Sequence, residues 1–189
     1  MLSESAVFDA VRRGYDELQT ASPQEICDYF STLGAAAFAG HVNNIKGIVF
    51  EQEVVGVLND GGLTAGMFAE TNHPDTDIFV LDESEAITEF QLKATDSIQY
   101  ISSTLEDNPD IPIIATSEVA THFSNDAVLD SGLSNEELTD FVTDTLSSGT
   151  ANVTSDYVAD SVSEGLVEAV ADVAVPFYPS PWWLLGLLL

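Results

Sequence analysis

Apolar residues at Phe8, Val11, Tyr15 and Leu18 recur at helical spacing and predict an amphipathic first helix over residues 3–20. Ser22-Pro23-Gln24-Glu25 is a capping box with proline at the first helical position, so a second helix should start there and bury Ile26, Phe30 and Leu33. A third helix is predicted from Val42 to Leu58, closed by Asn59-Asp60-Gly61-Gly62. The period then shifts to two. Asp77–Leu81 and Ile87–Ala94 read as strands, joined as an antiparallel hairpin through the polar turn Asp82-Glu83-Ser84-Glu85. A helix over Ser97–Leu105 is broken by Asn108-Pro109-Asp110. The apolar run Ile111–Thr116 suits a buried strand, with Pro112 at its start or at an edge because proline cannot donate to a ladder. A second capping box, Ser134-Asn135-Glu136-Glu137, precedes Leu138, Phe141, Val142 and Leu146; Val158, Val162, Leu166, Val170 and Val173 line one face of a last helix. The expected order is α-α-α-β-β-α-β-α-α, with Ser147–Thr154 as a linker.

This pattern divides 189 residues into a helical pair at 1–40, an α/β core at 41–133, C-terminal helices at 134–175 and an apolar tail at 176–189. The tail, with Trp182 and Trp183, is far shorter than the roughly 20 apolar residues that span a bilayer. Three accounts stay open for it: packing on the core, an interfacial anchor, or the start of a transmembrane helix continuing past Leu189. The N-terminus has neither the basic nor the apolar region of a secretory signal, so a cytoplasmic location is expected, with membrane association through the C-terminus as the alternative. A lone Cys27 excludes an internal disulfide and reads as a core thiol beside Ile26 and Phe30.

Charge changes the picture more than length does. There are 32 Asp and Glu against four basic residues, Arg12, Arg13, Lys46 and Lys93, for a formal net charge of -28. Hydrophobic residues still make up 45%, so this is a folding composition and not a disordered acidic tail. Carboxylates dispersed along the whole chain resemble the surfaces of salt-in halophile proteins, where molar salt cuts the Debye length to roughly 3 Å and silences self-repulsion. An ordinary acidic cytosolic protein is the alternative. Scarcity also makes Lys93 informative, since it sits within an apolar strand pattern.

In that strand, alternation puts Glu89, Gln91 and Lys93 on one face and Thr88, Phe90, Leu92 and Ala94 on the other. Gln91 and Lys93 have Cα atoms roughly 6 to 7 Å apart, close enough to serve one metal and one phosphate. Asp77 opens the partner strand near the Gln91 end, with Asp75 in reserve because the register is not fixed by sequence. Plainer roles compete for each residue. Lys93 would pair with Glu89 or Asp77, Glu51 would be one more solvated helix carboxylate, and Asp77 would cap a turn after His73-Pro74. His41, His73 and His122 lack metal-ligand spacing and read as surface or hydrogen-bonding residues, His73 lying next to the candidate site. No nucleophilic triad, Walker loop, dinucleotide fingerprint or zinc pattern occurs.

A helix with Gly47-Ile48-Val49-Phe50-Glu51, then Asp77 in Pro74-Asp75-Thr76-Asp77, then Gln91-Leu92-Lys93, then Ile113-Ile114-Ala115-Thr116-Ser117 resembles the PD-(D/E)xK nuclease superfamily, its Mrr-like restriction endonucleases most closely. The resemblance covers residues 46–120 or so. It implies a restriction-endonuclease-like mixed sheet flanked by helices, with extra helices at both ends, and hydrolysis of DNA phosphodiester bonds with Mg²⁺ or Mn²⁺. It further implies that Glu51, Asp77, the Gln91 side-chain oxygen and the Leu92 main-chain carbonyl bind the metal, with Glu89 as second choice. Lys93 would hold the attacking water and offset phosphate charge.

Four basic residues cannot make the six to ten phosphate contacts of an ordinary DNA-binding protein, so DNA binding should be weak outside high salt. Two rivals follow: a catalytically inactive nuclease fold kept as an interaction module, docked through residues 176–189 to a membrane or protein, and an enzyme active only in a larger assembly. A homodimer is a further expected partnership.

Overall fold

A computed structural model describes residues 2–69, 73–81, 87–124, 127–150 and 159–174, the last with side chains from residue 165 onward. The turn expected at 82–85 and the tail at 176–189 lie outside the described residues, as does the second half of the expected linker. Among the described residues no helix is long and apolar enough to cross a membrane.

Helix α1 (Glu4–Gly14) is capped by the Ser3 hydroxyl, which accepts from Ala6 N–H. The expected helix to residue 20 stops early, because Tyr15 turns extended and only a 3-10 turn over Asp16–Leu18 follows. A tertiary bond overrides the local period: the Tyr15 hydroxyl and His41 Nδ1 are 2.7 Å apart, and the Tyr15 ring meets Phe30 edge-on at 6.1 Å. Helix α2 (Pro23–Ser31) carries the full reciprocal capping box of Ser22 and Glu25. Helix α3 (Ala35–Asp60) starts seven residues before the expected Val42, since the Ala35-Ala36-Ala37 run is strongly helical without contributing a periodic signal. It ends where Asn59-Asp60-Gly61-Gly62 predicts; Gly62 takes φ 91, and the Asn59 amide bonds both the N–H and the carbonyl of Ala65.

A five-stranded mixed sheet follows in spatial order β1 (Thr64–Met67), β2 (Ile78–Leu81), β3 (Ile87–Lys93), β4 (Ile113–Ala115) and β5 (Val128–Asp130). The first two pairings are antiparallel and the last two parallel. Between β3 and β4 runs α4 (Ile98–Asp107), capped by Ser97; α5 (Ser117–Ala120) links β4 to β5, and α6 (Asn135–Ser148) and α7 (Ala159–Ala174) complete the chain. Strands β1 and β5 and helix α5 were not expected. The sequence Thr-Ala-Gly-Met of β1 has no strand signature because Gly66 lies under the Phe79 ring, where a Cβ would come within 2.6 Å of it.

The sheet separates two cores. On one face Ile78, Val80, Phe90, Leu92, Ile114 and Leu129 join the apolar faces of α1, α2, α3, α6 and α7. On the other, Ile113, Ala115 and Val128 pack with Ile101 of α4 and Val119 of α5. The structure is thus mixed α/β with helices on both faces of the sheet.

Two polar groups tie α3 and α5 to α6. Lys46 on α3 is only 6% exposed; its ammonium donates to Asn135 Oδ1 and, at 3.2 Å, to Thr139 Oγ1. Burial lowers the Lys46 pKa, with Asp96 and Glu118 acting the other way. Glu118 accepts from Ser134 Oγ at 2.7 Å and from the N–H groups of Asn135 and Glu136 at 2.9 and 3.2 Å, capping α6 through a side chain from α5. Burial disfavours the Glu118 charge, but these bonds more than offset it, and its carboxyl titrates below the ordinary value. An ammonium stripped of a partner in this setting is costly. Asn135→Leu should therefore lower stability by about 1–3 kcal/mol, whereas Lys46→Met, which removes the need together with the group, should cost less. Urea unfolding of both variants in molar KCl checks the order.

Candidate active site

The four expected site residues come from α3, the residue just before β2, and β3. The register Ile78↔Phe90, carried back one residue, sets Asp77 across from Gln91; Asp75, with φ 64, lies in the exposed turn before it. Asp77 ends the β2–β3 ladder in a particular way. Its own N–H donates to Phe90 O at 2.9 Å, and its carboxylate Oδ2, not a main-chain oxygen, accepts from Leu92 N–H at 2.7 Å. Gln91 N–H and Lys93 O are already committed to the β4 side, through Pro112 O and Thr116 N–H. By alternation the Leu92 carbonyl therefore faces the same edge as its N–H, toward Asp77.

The in-register partners Ile113 and Ala115 fix the direction of the side chains of Gln91 and Lys93: toward α4. The Gln91 Oε1 atom is buried there without a hydrogen-bond partner. Such an orphaned acceptor costs on the order of 1–3 kcal/mol and calls for a donor or a cation. Lys93 forms neither of the expected ion pairs, with Glu89 or with Asp77. Its ammonium lies 5.9 Å from the centre of the Tyr100 ring.

Glu51 approaches from α3, which packs on β1 and β3 and places Phe50 and Val54 in the core with Phe90 and Leu92. Because β2 begins only at Ile78, the β2–β3 ladder stops short of Leu92, leaving a gap on that edge of β3 that the Asp77 carboxylate fills. Glu51 is half-buried and is not a solvated surface carboxylate. Burial first, then the Asp77 charge, push its pKa up to about 7, and Arg13 and Lys93 pull less strongly the other way. The charges of Asp77, Arg13 and Lys93 thus all reach the Glu51 carboxyl.

Arg13 was missed by sequence reasoning. It lies on α1, and nothing local marks it as belonging with Glu51. Its Nη2 donates to Phe68 O at 2.6 Å, and its Nε is buried without a partner. The Phe68 ring stacks flat on His73 at 3.7 Å. From there a polar chain runs on: His73 Nδ1 is 3.0 Å from Thr76 Oγ1, which donates to Glu89 Oε2 at 2.8 Å. The one Thr76 hydroxyl proton is spent on Glu89, so Nδ1 of His73 must carry a proton of its own. Glu89, the second-choice ligand, is held by Thr76 on this rim, two residues along β3 from Gln91. His41 belongs to the Tyr15 contact in the core, and His122 is exposed. Cys27 Sγ faces Thr145 O at 3.6 Å, and burial raises its pKa, in keeping with a core thiol.

Among the described residues no three His, Cys, Asp or Glu side chains gather as a metal-binding group. The oxygens that the resemblance implies lie on different sides of β3: Gln91 faces α4, Glu51 comes from α3, and Asp77 and the Leu92 carbonyl share the strand edge between them. All four are hard oxygens, the kind Mg²⁺ prefers, and two short of an octahedral shell, so the remaining ligands would be water and substrate oxygens. No family model, no curated protein and no solved structure matches the chain.

The raised Glu51 pKa makes a signed prediction for protein freed of divalent ions. Below about pH 4.5 the carboxyl is protonated in both folded and unfolded chains; between 4.5 and 7 only the folded chain keeps the proton. Its contribution is therefore fully present at the acid end and is lost as pH rises through 7. Relative to Glu51→Gln, the wild type should lose up to about 3 kcal/mol of stability across that window. Parallel pH profiles for the two proteins would show that Glu51 is not desolvated beside Asp77.

Proposed function

We propose that Glu51, Asp77, Gln91 and Lys93 form a PD-(D/E)xK-type site in a restriction-endonuclease-like fold, hydrolysing DNA phosphodiester bonds with a divalent metal at high salt. What supports this most is the position of Asp77 across from Gln91 at the end of the β2–β3 ladder, with the charges of Asp77 and Lys93 both reaching Glu51 on α3. The succession α3, β2, β3, β4 agrees with the order that the resemblance implies.

Each residue has a role that follows from its setting. Asp77, pinned by Leu92 N–H through one oxygen, presents the other in a fixed direction, while Gln91 offers an acceptor that nothing else uses. A bound Mg²⁺ or Mn²⁺ supplies Lewis acidity and positive charge to the phosphate and to water. Glu51 exchanges its proton near neutral pH, so metal affinity should rise with pH as that proton is displaced. Lys93, free of a carboxylate partner, keeps its N–H donors for the attacking water or the phosphate oxygens.

The remaining basic residues offer almost no grip on DNA. Arg12 is bonded to Asp9 at 2.7 Å and to Ala21 O, Arg13 to Phe68 O, and Lys46 is buried against α6. Only Lys93 is left for phosphate. With one contact, log affinity should fall with log salt at a slope of about -1, against roughly -6 to -9 for an ordinary DNA-binding surface. Titrating binding of a duplex oligonucleotide against KCl reads this slope, and a steep one would contradict the assignment of the arginines and Lys46.

The plainer alternative is an inactive nuclease fold serving as an interaction module, which the structural use of Asp77 Oδ2 and the presence of only two carboxylates favour. Cleavage with Mg²⁺ in molar KCl separates the two. An active site predicts that Lys93→Ala and Asp77→Ala each reduce turnover by about 100-fold or more. Equal activity in all three proteins would sink the site assignment, and no activity in any would favour the module.

A further inference from the structure

We infer that Tyr100 is a positioning residue for Lys93, holding its ammonium on the ring face so that its N–H donors stay available. This role rests on the proposed phosphodiester hydrolysis. Lys93 leaves β3 on the α4 side, beside the small partner Ala115, and its Nζ comes to 5.9 Å from the ring centroid of Tyr100, within the range of a cation–π contact. Among the described residues it forms no ion pair, in a chain with 32 Asp and Glu, although its charge reaches Glu51. Tyr100 sits in the first turn of α4, which carries no acidic residue, and its N–H donates to the Ser97 cap. Its side chain is 51% exposed, so core packing does not account for an aromatic residue there.

The physical advantage of a ring over a carboxylate is specific to this site. A carboxylate would hold the ammonium by accepting its N–H bonds and cancelling its charge, and in molar salt an exposed pair of that kind would be screened. A ring face attracts the cation without accepting a conventional hydrogen bond. The three N–H donors therefore remain for water or phosphate.

The chain has only two lysines, so lysine-selective ¹³C labelling gives two sets of ε-methylene signals, with buried Lys46 as the internal control. In molar KCl, Lys93 should show upfield ring-current shifts that Tyr100→Leu abolishes and Tyr100→Phe restores, while Lys46 stays put. Turnover with Mg²⁺ should fall on the order of 3- to 5-fold in Tyr100→Leu and recover in Tyr100→Phe, with KM for DNA little changed. A Lys93 signal indifferent to Tyr100→Leu would overturn the contact. A lost shift with unchanged kcat, or a change confined to KM, would overturn the positioning role while leaving the site standing. Absence of cleavage by wild type would overturn both this role and the proposed hydrolysis.

Discussion

The architecture turns on one hydrogen bond, from Leu92 N–H to the Asp77 carboxylate. Strand β3 has two partners, β2 running antiparallel along its first half and β4 running parallel along its second. They lie on opposite edges of β3, and β2 pairs only as far as Phe90. Beyond Phe90 the β2-side edge of β3 has no strand partner, and a buried N–H left so is costly. Asp77 fills that need with a side chain, which ends β2, opens a gap in the sheet and sets a carboxylate in the gap. The conformation that completes the sheet and the conformation that makes a candidate ligand are the same one. This also explains why Asp77 is hard to assign to structure or to chemistry alone: one oxygen serves each.

Scarcity of cations organises the rest. Arg12 secures the α1 end against the loop at Ala21, Arg13 reaches Phe68 beside Glu51, and Lys46 joins α3 to α6. Three of four basic groups therefore hold elements together, and Lys93 alone faces a ring instead of an acceptor. With 32 Asp and Glu against four basic residues, internal pairing can offset little of the self-repulsion, and added salt would screen it. Glu118 follows the same economy from the acidic side, using a carboxylate to cap α6 where its charge meets three donors.

Much of this was legible in the sequence where local chemistry decides. The capping serines 22 and 134, the Asn59–Gly62 stop and the β2–β3 hairpin are local signals, and the structure has each of the elements they mark. The grouping of Asp77, Gln91 and Lys93 followed from strand alternation once the hairpin was in place. What escaped was set by distant contacts. Tyr15 leaves the helix for His41, β1 hides its pairing in Gly66 under Phe79, and β5 is three residues long, below the length at which alternation can be read. Arg13 acts on Glu51, and Tyr100 meets Lys93, from helices whose own patterns say nothing of either.

If the gap beside Leu92 truly gathers a helix carboxylate and a strand carboxylate into one site, the two must titrate as coupled groups. The direct measurement is the ¹³C carboxyl titration of Glu51, by NMR in metal-free buffer, in wild type and in Asp77→Asn. The expected result is a Glu51 pKa near 7 in wild type, lowered in the variant because a like charge has been removed. A Glu51 carboxyl that titrates at the ordinary value of 4.5, or one that does not respond to Asp77→Asn, would mean that α3 and the β2–β3 gap do not form a common site.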